Sequence, residues 1–302
     1  MTAFADINYF KIIPEIWYVS PKEGTVGTIV TIHGTGYAST EQIYIHFGKT
    51  NTITITTSDA IGSWITTFTV DTQGYGSTTI AAIGLNSEKA INYFKIITEL
   101  YSVTPTLGTV GTIITIKGTG YNVNEEIRIA FGNKPTIITT QADGIGSFTV
   151  TFTIDTQPYG QTTIKAAGLT SGGEGINYFK ILPQVWSVTP TAGTVGSIVT
   201  IRGTGYAGSE DIYIHFGTTK TITTIQSTIE GSFSTTFTID TQPYGSTTLT
   251  CSVPAYPLPN TVTIVPTVPV VGNILIPPMM VKKLIFCSSI MPTAVIVVLP
   301  NV

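Results

Sequence analysis

The chain has 302 residues and is poor in charge: 14 basic and 17 acidic residues leave a formal net charge of −3. Charged residues make up 10% of the chain, against roughly 25% in ordinary globular proteins. This balance gives no electrostatic reason to expect a nucleic-acid partner, because phosphate binding needs clustered lysine and arginine. The abundance of Thr, Ile, Gly and Tyr is instead typical of β-rich surface proteins.

An internal repeat organises the whole chain. The segment Asn-Tyr-Phe-Lys at residues 8–11 returns at residues 92–95 and again at residues 177–180. A Gly-Thr-Gly-Tyr motif starting at Gly34 and an Asp-Thr-Gln motif starting at Asp71 recur with the same spacing. A tandem array supplies no unique place for an active site, so the repeat favours an architectural or adhesive protein over an enzyme.

The repeat divides the chain into five predicted parts. Three modules of about 85 residues are predicted at residues 14–97, 98–182 and 183–265, and each is large enough for its own core. Residues 1–13 precede module one as a possible donor strand, and residues 266–302 follow module three as a Pro-rich apolar tail.

Alternation of constant apolar positions and variable positions predicts the strands. Ile43, Ile45 and Phe47 are repeated unchanged in both later copies, whereas Tyr44 and His46 between them change. A period of two places the first set inside and the second set outside. About seven such strands per module, separated by Gly and Pro turns, predict an all-β fold: a tandem array of three immunoglobulin-like antiparallel β-sandwiches, ending in an irregular Pro-rich tail.

The opening of each module resembles a known family. Residues 17–21, the Gly-Thr-Val-Gly turn at residues 24–27 and the strand with its Gly-Thr-Gly-Tyr exit at residues 30–37 are similar to the start of IPT/TIG immunoglobulin-like domains. The same motif returns over residues 101–121 and 186–206, so the resemblance covers all three modules. In that family the motif shapes the first two strands and has no catalytic role. The resemblance implies a repeat stalk of a prokaryotic cell-surface or secreted protein, and it transfers no site residue.

The titratable residues predict no catalytic or metal site. His33, His46 and His215 are interpreted as outward positions on different strands or modules, which disfavours a shared metal site or base. Acids recur in the loop after each Gly-Thr-Gly-Tyr motif and at the end of a Phe-rich strand, but they are too sparse for a calcium cage of about six oxygens. We therefore predict no enzyme and no cofactor, and we favour turn capping over calcium binding. These acids are Glu41, Glu125, Glu126, Glu210 and Asp211 in the loops and Asp71, Asp155 and Asp240 at the strand ends.

The two cysteines, Cys251 and Cys287, are too few for a disulfide framework. Cys251 falls where Ala82 and Ala166 stand in the earlier copies. This position favours a small buried side chain over a reactive or bridged thiol.

The two ends of the array are predicted to be complementary. The Asn-Tyr-Phe-Lys strand closes modules one and two, but its first copy, around residues 7–12, precedes any module that it could close, and module three loses the pattern after Gly245. An unpaired apolar strand is a template for another chain. We therefore predict that residues 7–12 of one subunit complete module three of the next, which gives an open head-to-tail homopolymer. The predicted subunit-interface residues are Ile7, Tyr9, Phe10, Ile12, Leu249, Cys251, Val262 and Ile264.

Two alternatives stay open for the first strand. Residues 261–265 follow residues 176–180 at the repeat distance, so they could be module three's own last strand. The N-terminal strand would then be a remnant of a preceding repeat in a longer polypeptide. In the second alternative the first strand docks back on module one.

The sequence is also compatible with several cellular compartments and with several roles for the C-terminal tail. Residues 1–6 lack the basic, apolar and small-residue pattern of a secretory signal, which fits a removed signal, a piece of a longer chain or an intracellular protein. Lys282 and Lys283 precede an apolar stretch, but it is shorter than the ~20 residues of a spanning helix and Pro292 interrupts it. Membrane contact, extended strands packed on a neighbouring subunit and an aberrant reading of the gene all fit this tail.

These patterns together predict a non-enzymatic extracellular or cell-surface structural protein, a subunit of a filament, stalk or surface layer whose partners are copies of itself. The alternative is a glycan- or calcium-binding adhesin module cut from a longer repeat array. In that case loop acids or outward tyrosines such as Tyr44 and Tyr213 would hold the ligand.

Overall fold

The computed structural model describes residues 9–243 and 245–254 together with the backbone of residues 260–264, and its regular elements are all β-strands. No helix in this described part has the length and apolarity that a membrane crossing requires. Two compact units are present, formed by the described parts of residues 1–103, 115–150 and 164–177 and of residues 104–114, 151–163 and 178–302.

Module one is a sandwich of two sheets. Its strands are β1 (Glu15–Ser20), β2 (Glu23–Gly24), β3 (Ile29–Thr35), β4 (Gln42–Phe47), β5 (Thr50–Thr57), β6 (Trp64–Thr69), β7 (Gly76–Gly84) and β8 (Ala90–Ile96). One sheet has the order β1-β3-β6, and the other has the order β2-β8-β7-β4-β5. The short strand β2 runs parallel to β8, while the pairs β1–β3, β3–β6, β4–β5, β4–β7 and β7–β8 are antiparallel.

The core of module one lies between the two sheets and follows the predicted alternation. Ile43, Ile45 and Phe47 are fully buried, while Tyr44 and His46 lie on the opposite face of β4 and stay partly exposed. The inward rows of both sheets meet at the ring of Phe47, whose centroid lies 5.1 Å from that of Phe68 and 6.0 Å from that of Phe94. The predicted inside and outside faces are therefore confirmed.

Module two repeats this arrangement. Its sheets have the orders β14-β11-β9 and β10-β16-β15-β12-β13. The strands are β9 (Glu99–Thr104), β10 (Leu107–Gly108), β11 (Ile113–Thr119), β12 (Glu126–Phe131), β13 (Lys134–Gln141), β14 (Phe148–Thr153), β15 (Gly160–Gly168) and β16 (Glu174–Ile181).

Module three differs in its second sheet. Its strands are β17 (Gln184–Thr189), β18 (Ile198–Thr204), β19 (Asp211–Phe216), β20 (Thr219–Gln226), β21 (Phe233–Thr238), β22 (Thr247–Ser252) and β23 (Asn260–Ile264). The first sheet has the order β17-β18-β21, and the second has four strands in the order β20-β19-β22-β23. Ala192 and Gly193, the counterparts of β2, are not in a strand.

Strand β23 takes the last-strand position of module three, where the Asn-Tyr-Phe-Lys motif is missing. It runs antiparallel to β22, with Val262 opposite Leu249 and Ile264 opposite Thr247. The expectation that module three lacks a last strand of its own is therefore wrong. The alternative, in which residues 261–265 form that strand, agrees with this ladder for residues 261–264, and Val265 lies outside the described residues. The backbone of Thr-Val-Thr-Ile supplies the ladder without the Asn-Tyr-Phe-Lys motif, because strand pairing is made by backbone groups.

All three modules are thus β-sandwiches in tandem, as predicted. The boundaries at residues 14–97, 98–182 and 183–265 stay predictions. The tail at residues 266–302 lies outside the described residues, and so does Cys287.

Candidate functional site

The loop that connects β6 to β7, residues 70–75, is held in place by a small polar network. The Asp71 carboxylate accepts hydrogen bonds from the Thr50 hydroxyl and, at 3.0 Å, from the side-chain amide of Gln73. Gln73 is buried and its Oε1 accepts from the backbone N–H of Lys49 at 3.3 Å. The loop is therefore fixed from inside its own module, and Gly74 and Tyr75 are presented at its tip.

Module three has the same network. The amide of Gln242 donates to Asp240 at 2.8 Å, and the Thr219 hydroxyl donates to the other carboxylate oxygen. The hydrogen bonds from Thr219 and Gln242 lower the pKa of Asp240, because they stabilise the charged carboxylate. The recurring acids Asp71 and Asp240 therefore fasten loops, in agreement with turn capping.

In the first compact unit this loop touches the Gly-Thr-Gly-Tyr turn of the next module. The Tyr75 N–H donates to the Tyr121 carbonyl at 3.0 Å. A Cβ built on Gly74 would lie 3.5 Å from a methyl group of Val123, and one built on Gly146 would lie 3.1 Å from the Gly74 Cα. The contact is made almost entirely by backbone.

The second compact unit contains the same contact one repeat later. The Tyr159 N–H donates to the Tyr206 carbonyl at 2.9 Å. A Cβ built on Gly231 would lie 3.1 Å from the Cα of Pro158, the counterpart of Gly74. Each of these residues lies one repeat after its counterpart in the first contact, so the chain contains the same junction twice, with the same geometry. We call this contact the junction bond.

A shallow cleft of about 610 Å³ lies beside the first junction bond. Among its lining residues Lys49 is the only charged one, and the rest are glycines, threonines, a serine, two amides, Tyr75 and Val123. The cleft presents hydrogen-bonding groups but no pair of titratable groups that could work together.

The N-terminal segment forms the second candidate site. Residues 9–13 are not in a strand, and the Lys11 ammonium forms an ion pair with Glu88. Tyr9 and Phe10 are each 92% exposed, and Ile12 is also exposed. Docking of this strand onto module one is therefore wrong for residues 9–13, and the predicted interface residue Ile7 lies outside the described residues.

The remaining predicted interface residues lie together in module three. Leu249 and Cys251 are buried in its core, and Val262 and Asn260 of β23 stand opposite them in the ladder. The structure thus brings Leu249, Cys251, Val262 and Ile264 onto two neighbouring strands, while Tyr9, Phe10 and Ile12 belong to the other compact unit. Burial of Cys251 agrees with the expected small core side chain.

The loop acids Glu41 and Glu125 are buried and bonded rather than open to a cation. Glu41 accepts from the N–H of Ala38 at 2.9 Å and of Ser87 at 2.8 Å, and also from the Asn86 N–H and the Ser87 hydroxyl. Burial alone would raise the pKa of Glu41, but these hydrogen bonds outweigh it and lower the pKa. Its carboxylate thus ties the Gly-Thr-Gly-Tyr turn to the β7–β8 loop.

Glu125 ties the same two segments together in module two. It accepts from the N–H of Asn122, Thr170 and Ser171 and from the Thr170 hydroxyl. The pKa of Glu125 is lowered in the same way: hydrogen bonds from Ser171, Thr170 and Asn122 overcome the effect of burial.

Glu210, the counterpart in module three, behaves differently. Among the described residues, its carboxylate accepts a hydrogen bond from the Ala207 N–H at 3.2 Å. Burial therefore dominates and raises the pKa of Glu210. Residues 9–243 and 245–254 contain no group of three His, Cys, Asp or Glu arranged to hold a metal ion.

The histidines and outward aromatics lie on the outer faces of the sheets. His33 packs against Trp17 and Tyr18, with ring centroids 5.0 and 4.6 Å apart. In module three Arg202 takes the position of His33 and lies 5.8 Å from the ring centre of Trp186, the counterpart of Trp17. Each module thus presents a half-exposed aromatic side chain at the Trp17 position of strand β1 or its equivalent, and these are Trp17, Tyr101 and Trp186.

Comparison with known proteins gives a family and a set of distant folds. The family model of the IPT/TIG domain matches residues 14–86 and 99–178. A search of curated proteins finds no match.

The solved structures that resemble the chain do so weakly. They include a biofilm-associated protein domain (11% identity, TM-score 0.23, 85% of this chain and 66% of that one). Another is invasin, described as a bacterial integrin-binding protein, with 12% identity and a TM-score of 0.29 over 85% of this chain and 60% of that one. A third is the Yersinia pseudotuberculosis adhesin InvE, with 16% identity and a TM-score of 0.25 over 61% of this chain and 66% of that one. The chain thus spans slightly less than two thirds of the length of each of the three.

Proposed function

Because this chain belongs to the IPT/TIG domain family, we propose that it is a non-enzymatic structural protein of a cell surface whose subunits join head to tail. In this proposal residues 7–12 of one subunit pair with β22 of module three in the next subunit. The tandem sandwiches carry load through their backbone ladders, and the polymer is open because donor and acceptor lie on different modules.

One observation carries this proposal. Phe10 is 92% exposed, whereas its copies Phe94 and Phe179 are 1% and 0% exposed in the cores of modules one and two. Burial of a Phe side chain stabilises a protein by about 1.5–3 kcal/mol relative to leaving it in water. The N-terminal segment therefore has the sequence of a core strand, but its Phe10 side chain is not packed in a core. Pairing with another copy would bury it.

The acceptor is module three, where the incoming strand would displace β23. In module one the core residue Phe94 stands opposite Thr78, and in module three Thr247, the copy of Thr78, stands opposite Ile264. Strand β23 has five residues against seven in β8, and it has no parallel neighbour equivalent to β2 among the described strands. The exchange would place Phe10 where Ile264 stands and would restore a full-length strand.

A matched pair of substitutions tests the proposal. Tyr9 and Phe10 are equally exposed in the single chain, but their copies differ: Tyr93 and Tyr178 stay outward, whereas Phe94 and Phe179 are buried. Phe10→Ala should therefore weaken polymerisation by about 100-fold or more, from a cost of about 3–5 kcal/mol for truncating a buried Phe, whereas Tyr9→Ala should polymerise normally.

Sedimentation velocity and electron microscopy of the purified chain provide the readout. The full chain should form linear polymers, and the chain without residues 1–12 should remain monomeric. Polymers from the shortened chain, or equal behaviour of Phe10→Ala and Tyr9→Ala, would show that this segment does not join the subunits.

A second candidate function is glycan binding by the outward aromatics. Trp17, Tyr101 and Trp186 recur at one position per module and are about half exposed, which suits stacking on the apolar face of a sugar ring. Titration with a glycan panel, followed by tryptophan fluorescence, tests it. Binding that is lost in Trp17→Ala combined with Trp186→Ala would favour an adhesin, and no fluorescence change with any glycan would dismiss it.

A further inference from the structure

We infer that the surface around Tyr37 and Gly62 of module one binds the loop at residues 242–245 of a second copy of this chain and rebuilds the junction bond between subunits. This inference rests on the proposed head-to-tail assembly and adds a second contact to it. The internal junction bonds of the two compact units are its template.

The receiving side is already formed in module one. The Tyr37 N–H donates to the Gly62 carbonyl at 3.1 Å, as Tyr121 does to Gly146 and Tyr206 does to Gly231, both at 3.0 Å. The turn that presents the Tyr37 carbonyl therefore has the same internal bond as the two turns that already accept a loop.

The same surface is uncovered in module one. The three atoms nearest to a Cβ built on Gly62 all belong to the Tyr37 backbone, whereas one of the three nearest at Gly146 is the Gly74 Cα of the preceding module. Ile61 is 84% exposed, while its counterpart Ile145 beside Gly74 is 48% exposed. Within the described part of the chain, no residue donates a hydrogen bond to the Tyr37 carbonyl.

Module three has the matching loop. Its sequence Gln-Pro-Tyr-Gly at residues 242–245 is identical to residues 157–160, which make the junction bond in the second compact unit. The Asp240–Gln242 hydrogen bond fixes the base of this loop, and Gly245 has a positive φ of 129°, as Gly160 does at 112°. Tyr244 itself lies outside the described residues, and its role as donor follows from the repeat.

The backbone just before β1 also lies against the Gly-Thr-Gly-Tyr turn of module one, as the linker between modules one and two lies against the turn of module two. A Cβ built on Gly36 would lie 2.6 Å from the Ile13 carbonyl oxygen, and one built on Gly120 would lie 2.4 Å from that of Ile97. Two residues, 13 and 14, precede β1, just as residues 97 and 98 separate β8 from β9.

The two contacts are therefore compatible in one assembly. If residues 7–12 occupy the last-strand position of module three in a neighbour, the connection to module one has the length and starting position of an internal linker. A tether of this kind raises the effective concentration of the loop at the Tyr37 surface, so a small contact suffices there. The occupant is a second copy, because the same loop sequence makes the same bond inside this chain.

Engineered disulfides test the inference. A Cβ at position 74 lies next to Val123, so the equivalent subunit pair is Pro243→Cys with Ser39→Cys, in the full chain with Cys251→Ala and Cys287→Ser. Under oxidising conditions this double variant should form a ladder of disulfide-linked dimers, trimers and larger species on a non-reducing gel. A mixture of the two single variants should give dimers only, and neither single variant alone should cross-link.

The controls separate this inference from the proposed function. Pro243→Cys with Ile29→Cys, whose second residue is exposed but lies away from the junction, should give polymers without a ladder. If the Ser39 pair also gives polymers without a ladder, strand donation stands and the junction inference is wrong. If the protein stays monomeric, both fail, as they would if this surface served a preceding module of a longer polypeptide.

Discussion

Neutralising one buried carboxylate should destabilise module one, while the same substitution in module three should not. The perturbation is Glu41→Gln, which preserves the shape of the side chain and removes its charge. One Glu41 oxygen accepts from the N–H groups of Asn86 and Ser87, and the other accepts from the Ala38 N–H and the Ser87 hydroxyl. An amide nitrogen at the first oxygen leaves two N–H donors without their acceptor, whereas at the second the Ala38 N–H keeps the Ser87 Oγ, 2.9 Å away, and the Ser87 hydroxyl turns to accept. In both orientations the charge that the four donors address is lost.

The magnitude follows from the loss of the charge. Hydrogen bonds to a charged group contribute about 1.5–3 kcal/mol each, and Glu41 accepts four of them, so Glu41→Gln should lower the free energy of unfolding of module one by about 2 kcal/mol or more. For a domain of this size each kcal/mol shifts Tm by about 4–8 °C. The transition of module one should therefore fall by about 8 °C or more.

Glu210→Gln is the matched control in module three. The charged Glu210 side chain is partly buried and, among the described residues, accepts a hydrogen bond from the Ala207 N–H, and burial raises its pKa. Neutralising it should change the stability of module three by less than about 1 kcal/mol, because the lost charge was itself costly to bury.

The pH dependence has opposite signs at these two positions. The pKa of Glu41 is lower in the folded chain than its ordinary value of 4.5, so its contribution is complete above that value and is lost as the pH falls through the folded pKa. The pKa of Glu210 is raised, so ionisation as the pH rises above its ordinary value weakens module three. The deficit of Glu41→Gln should therefore shrink in acid.

Calorimetry, together with fluorescence of Trp64 in the core of module one, measures these effects. Equal shifts in Tm for the two variants at pH 7, or a deficit of Glu41→Gln that persists unchanged below about pH 3, would refute the hydrogen-bond argument.

Three further substitutions probe the cores. Trp64→Phe should change the free energy of unfolding in urea by less than about 1 kcal/mol, since it removes a buried Nε1–H that has no hydrogen-bond partner among the described residues and copies the Phe of the other modules; a loss of about 3 kcal/mol would contradict this. Tyr121→Phe should cost about 1 kcal/mol in the same assay, because the 3.1 Å bond to the Ala166 carbonyl is lost; no change would mean that the bond contributes nothing. In a Cys287→Ser background, Cys251 should react with a thiol reagent only after denaturation, and rapid native labelling would contradict its burial.

The sandwich could be predicted because the clearest pattern in the sequence is the set of apolar positions that face the core. Ile43, Ile45 and Phe47 recur unchanged since each faces the core, and an alternating period of two describes one side of a sheet. The same signal misjudged the end of module three. Residues 261–264 lack the Asn-Tyr-Phe-Lys motif, yet β23 pairs with β22 because a ladder needs only backbone groups and extended residues.

The buried acids could be predicted only in part. Their recurrence after the Gly-Thr-Gly-Tyr motif left capping and calcium binding as alternatives, because a carboxylate can accept from N–H groups or bind a cation. The deciding partners of Glu41 are Asn86 and Ser87, which lie about half a module away along the chain. Such a contact depends on sheet topology, which residue spacing alone does not define.

The junction bond could not be predicted from residue types, and the reason bears on how the array extends. Gly74 in one junction is Pro158 in the other, and Val123 is replaced by Gly208, yet the N–H to carbonyl distances agree within 0.1 Å, at 3.0 and 2.9 Å. A contact between backbone groups imposes few demands on side chains, so its sequence signature is the shape of two turns, recorded as positive φ at Gly76 and Gly160 and at Gly146 and Gly231. Any module with both turns can therefore follow another, whether a peptide linker or a donated strand brings the two together.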